Sequence, residues 1–419
     1  MTEAASAKAV SATRAAETAA RASYGRLVAI LSARSGDVAW AEDSLADAFE
    51  AALRTWPQNG IPNQPDAWLL TVARRAMIDA ARSRKRHMAV VSDLELIADE
   101  AFDPDNQPAI PDQRLALMFA CAHPAIDRHI RAPLILQTVL GFDAAAIASA
   151  FLIAPSTMSQ RLVRAKTKIK EARIPFHIPE PSELGERVGA VLDAIYATYT
   201  DGWSDPNGTE PHRLNSAEEA IWLGRLAASL MPQEAEALGL LALMLYSESR
   251  RDARRDADGN YVPLSEQNPA QWDGRLVDEA EALLLQASRT GAICRYQLEA
   301  AIQSAHLICR RNGSADWPAI VQLYDALYAV TMSPVVAINR AVAVSKTNGP
   351  LAGLTQLDVV ANDARLNQYQ PYWAARADLL AQTGNRDEAA SAYDRAIGLE
   401  PDPAVRRFLL ARRADAITR

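Results

Sequence analysis

The chain has 419 residues, 49% of them hydrophobic and 6% aromatic, with a formal net charge of −7. That length supplies two or three cores of a soluble globular protein, and no apolar run approaches the ~20 residues that a bilayer-crossing helix needs. Met1 to Ala20 is Ala-rich and polar, without the apolar centre of a secretion signal, so a cytoplasmic location and no membrane partner are expected. Three cysteines, Cys121, Cys294 and Cys309, are far apart and odd in number, which predicts reduced, mostly buried thiols rather than a disulfide framework.

Charge is spread unevenly. Met1 to Pro175 holds 21 Lys and Arg against 19 Asp and Glu, or +2, and the remainder holds 23 against 32, or −9. Within the first part, Arg74, Arg75, Arg82, Arg84, Lys85 and Arg86 crowd together with Asp79 the only acid among them. A local basic cluster can bind phosphates by releasing counterions even when the whole chain is acidic.

In chain order, Ala15 to about Ser35 reads as a helix with Ala22, Leu27, Val28 and Leu31 on one face. Asp37 can cap a second helix, Val38 to Trp56. Trp56 to Asp66 is dense in Pro, Gly and Asn and predicts a loop; Asp66 then caps a third helix, Ala67 to about Lys85, whose later turns carry the basic cluster. Asp99 to Asp112 follows neither helical nor strand period and reads as an acidic linker. Two helices, Gln113 to Cys121 and Asp127 to Leu140, come next.

Phe142 to Lys166 is the most informative stretch. Asp143 caps a short helix that buries Ile147, Ala148 and Phe151; Pro155 falls in the first turn of the next helix, where Met158, Leu162, Val163 and Ile169 recur at helical spacing and are expected to face inward. The opposite face shows Ser156, Thr157, Ser159, Gln160, Arg161 and Arg164, with Lys166, Lys168 and Lys170 beyond. A helix that reads a major groove places such groups against base edges near its start and cations against phosphates after it. The pattern equally describes a plain helical hairpin with a solvated basic face. A second break, Ile174 to Pro181, closes this half.

After Ser182 the pattern is helical throughout. Trp373, Ala377, Leu380, Gly384, Ala389, Tyr393, Ala396 and Pro401 fall at the spacing of a tetratricopeptide repeat, and a looser copy, Val335 to Leu357, places Ala341 and Gly353 at matching small positions. Arg250 to Leu264 interrupts the helices; its Asp256-x-Asp258-Gly259 lacks the ligand ladder of a calcium loop and predicts a Gly-centred turn. Cys121, His123 and His129 fit no common zinc spacing, and no phosphate-cradling Gly loop, nucleophile elbow or HExxH occurs, so no metal, no cofactor and no enzymatic activity are expected.

Taken together, these motifs resemble the extracytoplasmic-function sigma factors of bacterial RNA polymerase, most closely the subgroup with a tetratricopeptide-like C-terminal extension. The likeness runs through Asp37 to Trp56, Ala67 to Arg82, the Phe142 to Lys166 stretch, and the blocks beginning at Glu236, Ser333 and Trp373. It implies an all-α fold of two small helical sigma domains, the second ending in a helix-turn-helix, followed by a helical repeat domain. The implied divisions are a flexible start at 1–14, sigma region 2 at 15–90, the acidic linker at 91–112, sigma region 4 at 113–177 and the repeat domain at 178–419. It further implies that Glu42, Asp43, Asp47, Phe49 and Arg54 dock on core RNA polymerase, and that Asn59, Ile61 and Asn63 with Arg74, Arg75, Arg82, Arg84, Lys85 and Arg86 hold the opened strand of promoter DNA. Leu152 stands where many relatives place Gly; a left-handed residue there would be strained, so the turn is expected to differ. The extension is implied to regulate the factor, and the charge split fits an intramolecular contact of the acidic half with the basic faces. A helical-repeat adaptor that carries a DNA-binding helix-turn-helix is the alternative.

Overall fold

The computed structural model describes residues 11, 13–16, 24, 27, 28, 30, 31, 38–87, 113–171, 179–203, 211–312 and 316–418. The expected acidic linker, the second break from Ile174 to Ile178 and most of the first helix lie outside the described residues. Side chains of residues 80–87 lie outside them too, so only the helical backbone is described at Arg82, Arg84, Lys85 and Arg86. The same holds for Cys309. Among the described residues every extended element is a helix, and the only strand-like pairing is a bridge between Arg255 and Tyr261. The fold is nearly all helical, with compact units at 1–198 and 199–419.

In the first unit the helices are α1 Val38–Asn59, α2 Pro65–His87, α3 Gln113–Cys121, α4 Arg128–Thr138, α5 Ala144–Ala150 and α6 Pro155–Glu171. Leu27, Val28 and Leu31 are buried in this unit, as the predicted apolar face requires. Helix α1 runs further than expected, through Pro57 to Asn59, so the connection to α2 shrinks to Gly60 to Gln64. Pro fixes φ near its helical value and removes only one donor, a small loss at a helix end. Buried Trp56 anchors that end edge-on against Trp68, with ring centroids 5.5 Å apart. Pro65 opens α2, and Asp66 sits inside its first turn rather than before it, where a carboxylate still favours the positive helix end.

Helix α7, Leu184–Trp203, contains the division between the units, after Thr198. The buried Arg187 guanidinium donates to Glu183 at 2.7 Å and to the Phe119 carbonyl of α3 at 3.4 Å, tying the start of α7 to the first unit.

The second unit continues with α8 Pro211–Leu230, α9 Ala235–Ser249, α10 Gly274–Arg289, α11 Arg295–Asn312, α12 Trp317–Thr331, α13 Pro334–Asn348, α14 Pro350–Val360, α15 Gln370–Gln382, α16 Arg386–Leu399 and α17 Pro403–Thr418. Helix α9 is apolar and buried on every side from Ala237 to Tyr246, packing against α8, α10 and α11. Gly239 makes its crossing with α11 possible: a Cβ there would lie 2.4 Å from the Gln297 backbone nitrogen. One turn earlier the Glu236 carboxylate accepts the N–H groups of Arg295 and Tyr296 at 3.2 and 2.7 Å, capping α11 from a neighbouring helix.

The proposed repeat positions from Ala341 to Ala396 lie within the helix pairs α13–α14 and α15–α16, and Pro401 falls after α16. Ala341, Ala377, Ala389 and Ala396 are buried, and a Cβ on Gly353 would meet the Ser345 Cβ at 2.7 Å. Gly384, at φ +82°, turns α15 into α16. In the insert, Asp256 accepts the backbone N–H groups of Asp258 and Asn260 at 3.0 and 2.8 Å, and Gly259 takes φ +75°, the turn that was expected. Three guanidinium groups, Arg250, Arg251 and Arg254, lie 5.3, 5.2 and 4.1 Å from the Trp203 ring centroid. Burial and the neighbouring Arg250 lower the Arg254 pKa to about 10. An ion pair of Arg255 with Asp402 and an edge-on contact of Tyr261 with Phe408 at 5.4 Å hold the insert to the start of α17.

Gly239→Ala is expected to destabilise the second unit by about 3 kcal/mol, because the new methyl meets backbone that cannot yield. Gly189→Ala, in open space on α7, is expected to stabilise by about 0.5–1 kcal/mol. Denaturant melts of the two variants check both signs.

Candidate nucleic-acid interface

Helices α5 and α6 pack on each other, and α6 also packs on α4. The carboxylate of Asp143 accepts N–H groups from Ala145 and Ala146 at 2.9 and 2.8 Å, which satisfies two donors at the start of a helix only seven residues long. Ile147 and Ala148 are buried beneath it and Phe151 is half-buried. The turn closes through Leu152 at φ +52°, a left-handed conformation that a side chain resists, and through the Ile153 N–H, which donates to the Ala148 carbonyl at 2.9 Å. Contrary to expectation, the turn does not depart from a left-handed one: Leu152 adopts that conformation in spite of its side chain. Pro155 then opens α6.

Met158 and Leu162 are buried and fix the rotation of α6. Ser156, Ser159, Gln160, Arg161, Arg164 and Lys168 are exposed, and Thr157 and Lys166 are half-buried. Val163 does not face inward as expected: it is 65% exposed. At 100° per residue it stands seven positions after Ser156 and three after Gln160, which places it in the middle of the polar stripe. Helical phase counted from Met158 and Leu162 shows this; the assumption that an apolar residue is inward hid it. Ile169 is half-buried.

On α1 and α2 the proposed strand-holding residues Asn59, Ile61, Asn63 and Arg75 are exposed around the short connection, where Gly60 adopts φ +88°. Arg74 is half-buried. Of the expected polymerase contacts, Asp43, Asp47 and Arg54 are exposed and share one stripe of α1, while half-buried Phe49 stacks on Tyr24 with centroids 6.5 Å apart. The Tyr24 pKa is raised to about 12, first by burial and then by Glu42 and Asp43. Glu42 differs from these exposed residues: both its oxygens accept from Lys166 of α6, at 2.8 and 3.1 Å. Buried Cys121 is their neighbour, its thiol pushed up by burial and by Glu42. Cys294 is half-buried rather than buried. The His123 Nδ1 accepts the Ala125 N–H at 3.1 Å, and His129 is exposed.

A capped short helix, a tight turn and a longer helix with an exposed polar and basic stripe follow one another from Asp143 to Glu171. Residues 20–87 match sigma-70 region 2. Residues 187–288 match a family of unknown function, DUF6596. The chain is 39% identical over 364 residues to a protein of Rhizobium meliloti (strain 1021) that carries only the name uncharacterized, with 86% of each chain covered. It belongs to the family of that protein. No solved structure matches.

Replacing Asp143 by Ala is expected to cost about 1 kcal/mol of local stability. Amide hydrogen exchange should accelerate in α5 and the start of α6 while α9 keeps its protection.

Proposed function

We propose that the chain is an extracytoplasmic-function sigma factor that binds core RNA polymerase through α1, opens promoter DNA with α2 and the Asn59 to Gln64 segment, and reads the upstream element with α6. The observation that carries this reading is the presence, in one chain, of a region 2 domain and a capped helix-turn-helix whose exposed stripe presents hydroxyls, an amide and then cations. Asp43, Asp47 and Arg54, with Glu42 and Phe49 beside them, are the polymerase-facing residues. Asn59, Ile61, Asn63, Arg74, Arg75, Arg82, Arg84, Lys85 and Arg86 receive and hold the opened strand, where a pocket and cations offset a base-flipping cost of a few kcal/mol. Ser156, Thr157, Ser159, Gln160 and Arg161 meet base edges, and Val163 offers methyl groups to a thymine methyl. Arg164, Lys166 and Lys168 meet phosphates. The acidic helical extension, of tetratricopeptide type in this reading, regulates these contacts by electrostatics.

Gln160→Ala and Arg161→Ala are each expected to cost about 1–3 kcal/mol at one base pair and to relax preference there, read by selecting promoters from a randomised pool. Lys168→Ala should weaken all sequences alike and lower the salt slope of binding by about 1. For regulation, the measurement is promoter-directed RNA synthesis by the full chain and by one ending at Trp203, which keeps the Arg187 anchorage. Equal synthesis by the two removes the regulatory role.

A further inference from the structure

We propose that Glu42 and Lys166 form a latch that withholds a promoter contact until polymerase engages α1. This inference rests on the sigma-factor reading, and it concerns two residues that the reading assigns to different outside partners.

The pair is 124 residues apart in sequence, so only tertiary packing brings it together. Lys166 Nζ donates to both carboxylate oxygens, and the side chains are only 30% and 16% exposed, so neither reaches an outside partner without leaving the other. The cause lies in helical phase. Lys166 stands four residues after buried Leu162, on the flank of α6 beside the buried stripe, whereas Ser156, Gln160 and Val163 face away. Around the pair lie Tyr24, Asp43 and Cys121. The phenol and the thiol stay neutral there, which leaves Lys166 as the cation that compensates the half-buried Glu42 carboxylate.

Parting such a pair leaves each charge poorly solvated unless another partner takes it. A phosphate takes Lys166, and a cation on polymerase takes Glu42. Each event therefore lowers the cost of the other, so binding of polymerase and binding of duplex reinforce one another by the same factor. The free chain reads promoters one phosphate contact short; the holoenzyme does not.

The test titrates a promoter duplex with the full chain alone, over a range of salt, as wild type, Glu42→Gln and the Glu42→Gln, Lys166→Gln double variant. A parallel arm measures joining of each chain to sigma-free polymerase. Release of Lys166 should tighten duplex binding by Glu42→Gln about fivefold near 0.1 M salt, steepen the salt slope by about 1 and vanish near 1 M. The gain should disappear in the double variant. An unchanged affinity for Glu42→Gln, or a gain that persists in the double variant, overturns the latch while joining of wild type to polymerase keeps the sigma-factor reading. Failure of wild type to join polymerase overturns that reading and the latch together. A zero-length carbodiimide cross-link on the wild-type chain covers the case of a variant that does not fold. Mass spectrometry should find Glu42 joined to Lys166 in the free chain and not in the holoenzyme. Absence of that link from the free chain, or equal yield in both, refutes the proposal.

Discussion

The rotation of one helix about its own axis governs the first unit. Burial of Met158 and Leu162 leaves α6 a single orientation, and from it follow the exposed stripe through Ser156, Ser159, Gln160 and Val163 and the half-buried flank that holds Lys166. Asp143 makes this possible by stabilising α5, which is too short to persist without tertiary support. Leu152 works against it, since a left-handed leucine costs about 1 kcal/mol or more. The buried Ile147 and Ala148 on one side and Met158 on the other offset that cost, so the turn survives without glycine.

Charge acts here by pairing rather than by total. An excess of +2 over the first 175 residues gives no strong field. What matters is which cations are already engaged: Arg187 is spent on Glu183 and on a carbonyl of α3, and Lys166 on Glu42, while Arg161, Arg164 and Lys168 face solvent. The second unit follows the same logic. The Glu236 carboxylate caps a neighbouring helix, and Arg255 joins the insert to Asp402, so charges in both units serve as joints between elements.

Close approach of backbones organises the second unit. Gly239 and Gly353 have no room for a methyl group, and buried alanines recur along the later helix pairs, so small residues set the spacing between helices. This is why a pattern of small residues in the sequence reads as paired helices.

The sequence by itself determined the all-helical fold, the bounds of α3, the cap at Asp143, the turn at Gly259 and the identity of the polar stripe on α6. Each of these depends on interactions within a few residues, and such interactions leave a local pattern. Three features were decided only by tertiary structure. Helix α1 outlasts Pro57 because Trp56 is held against Trp68 from another helix; Val163 is exposed because α6 is turned by what Met158 and Leu162 bury; and Glu42 is neutralised by a lysine 124 positions away. Local preferences count neighbours along the chain, whereas burial and ion pairing count neighbours in space, and those exist only once the helices have packed.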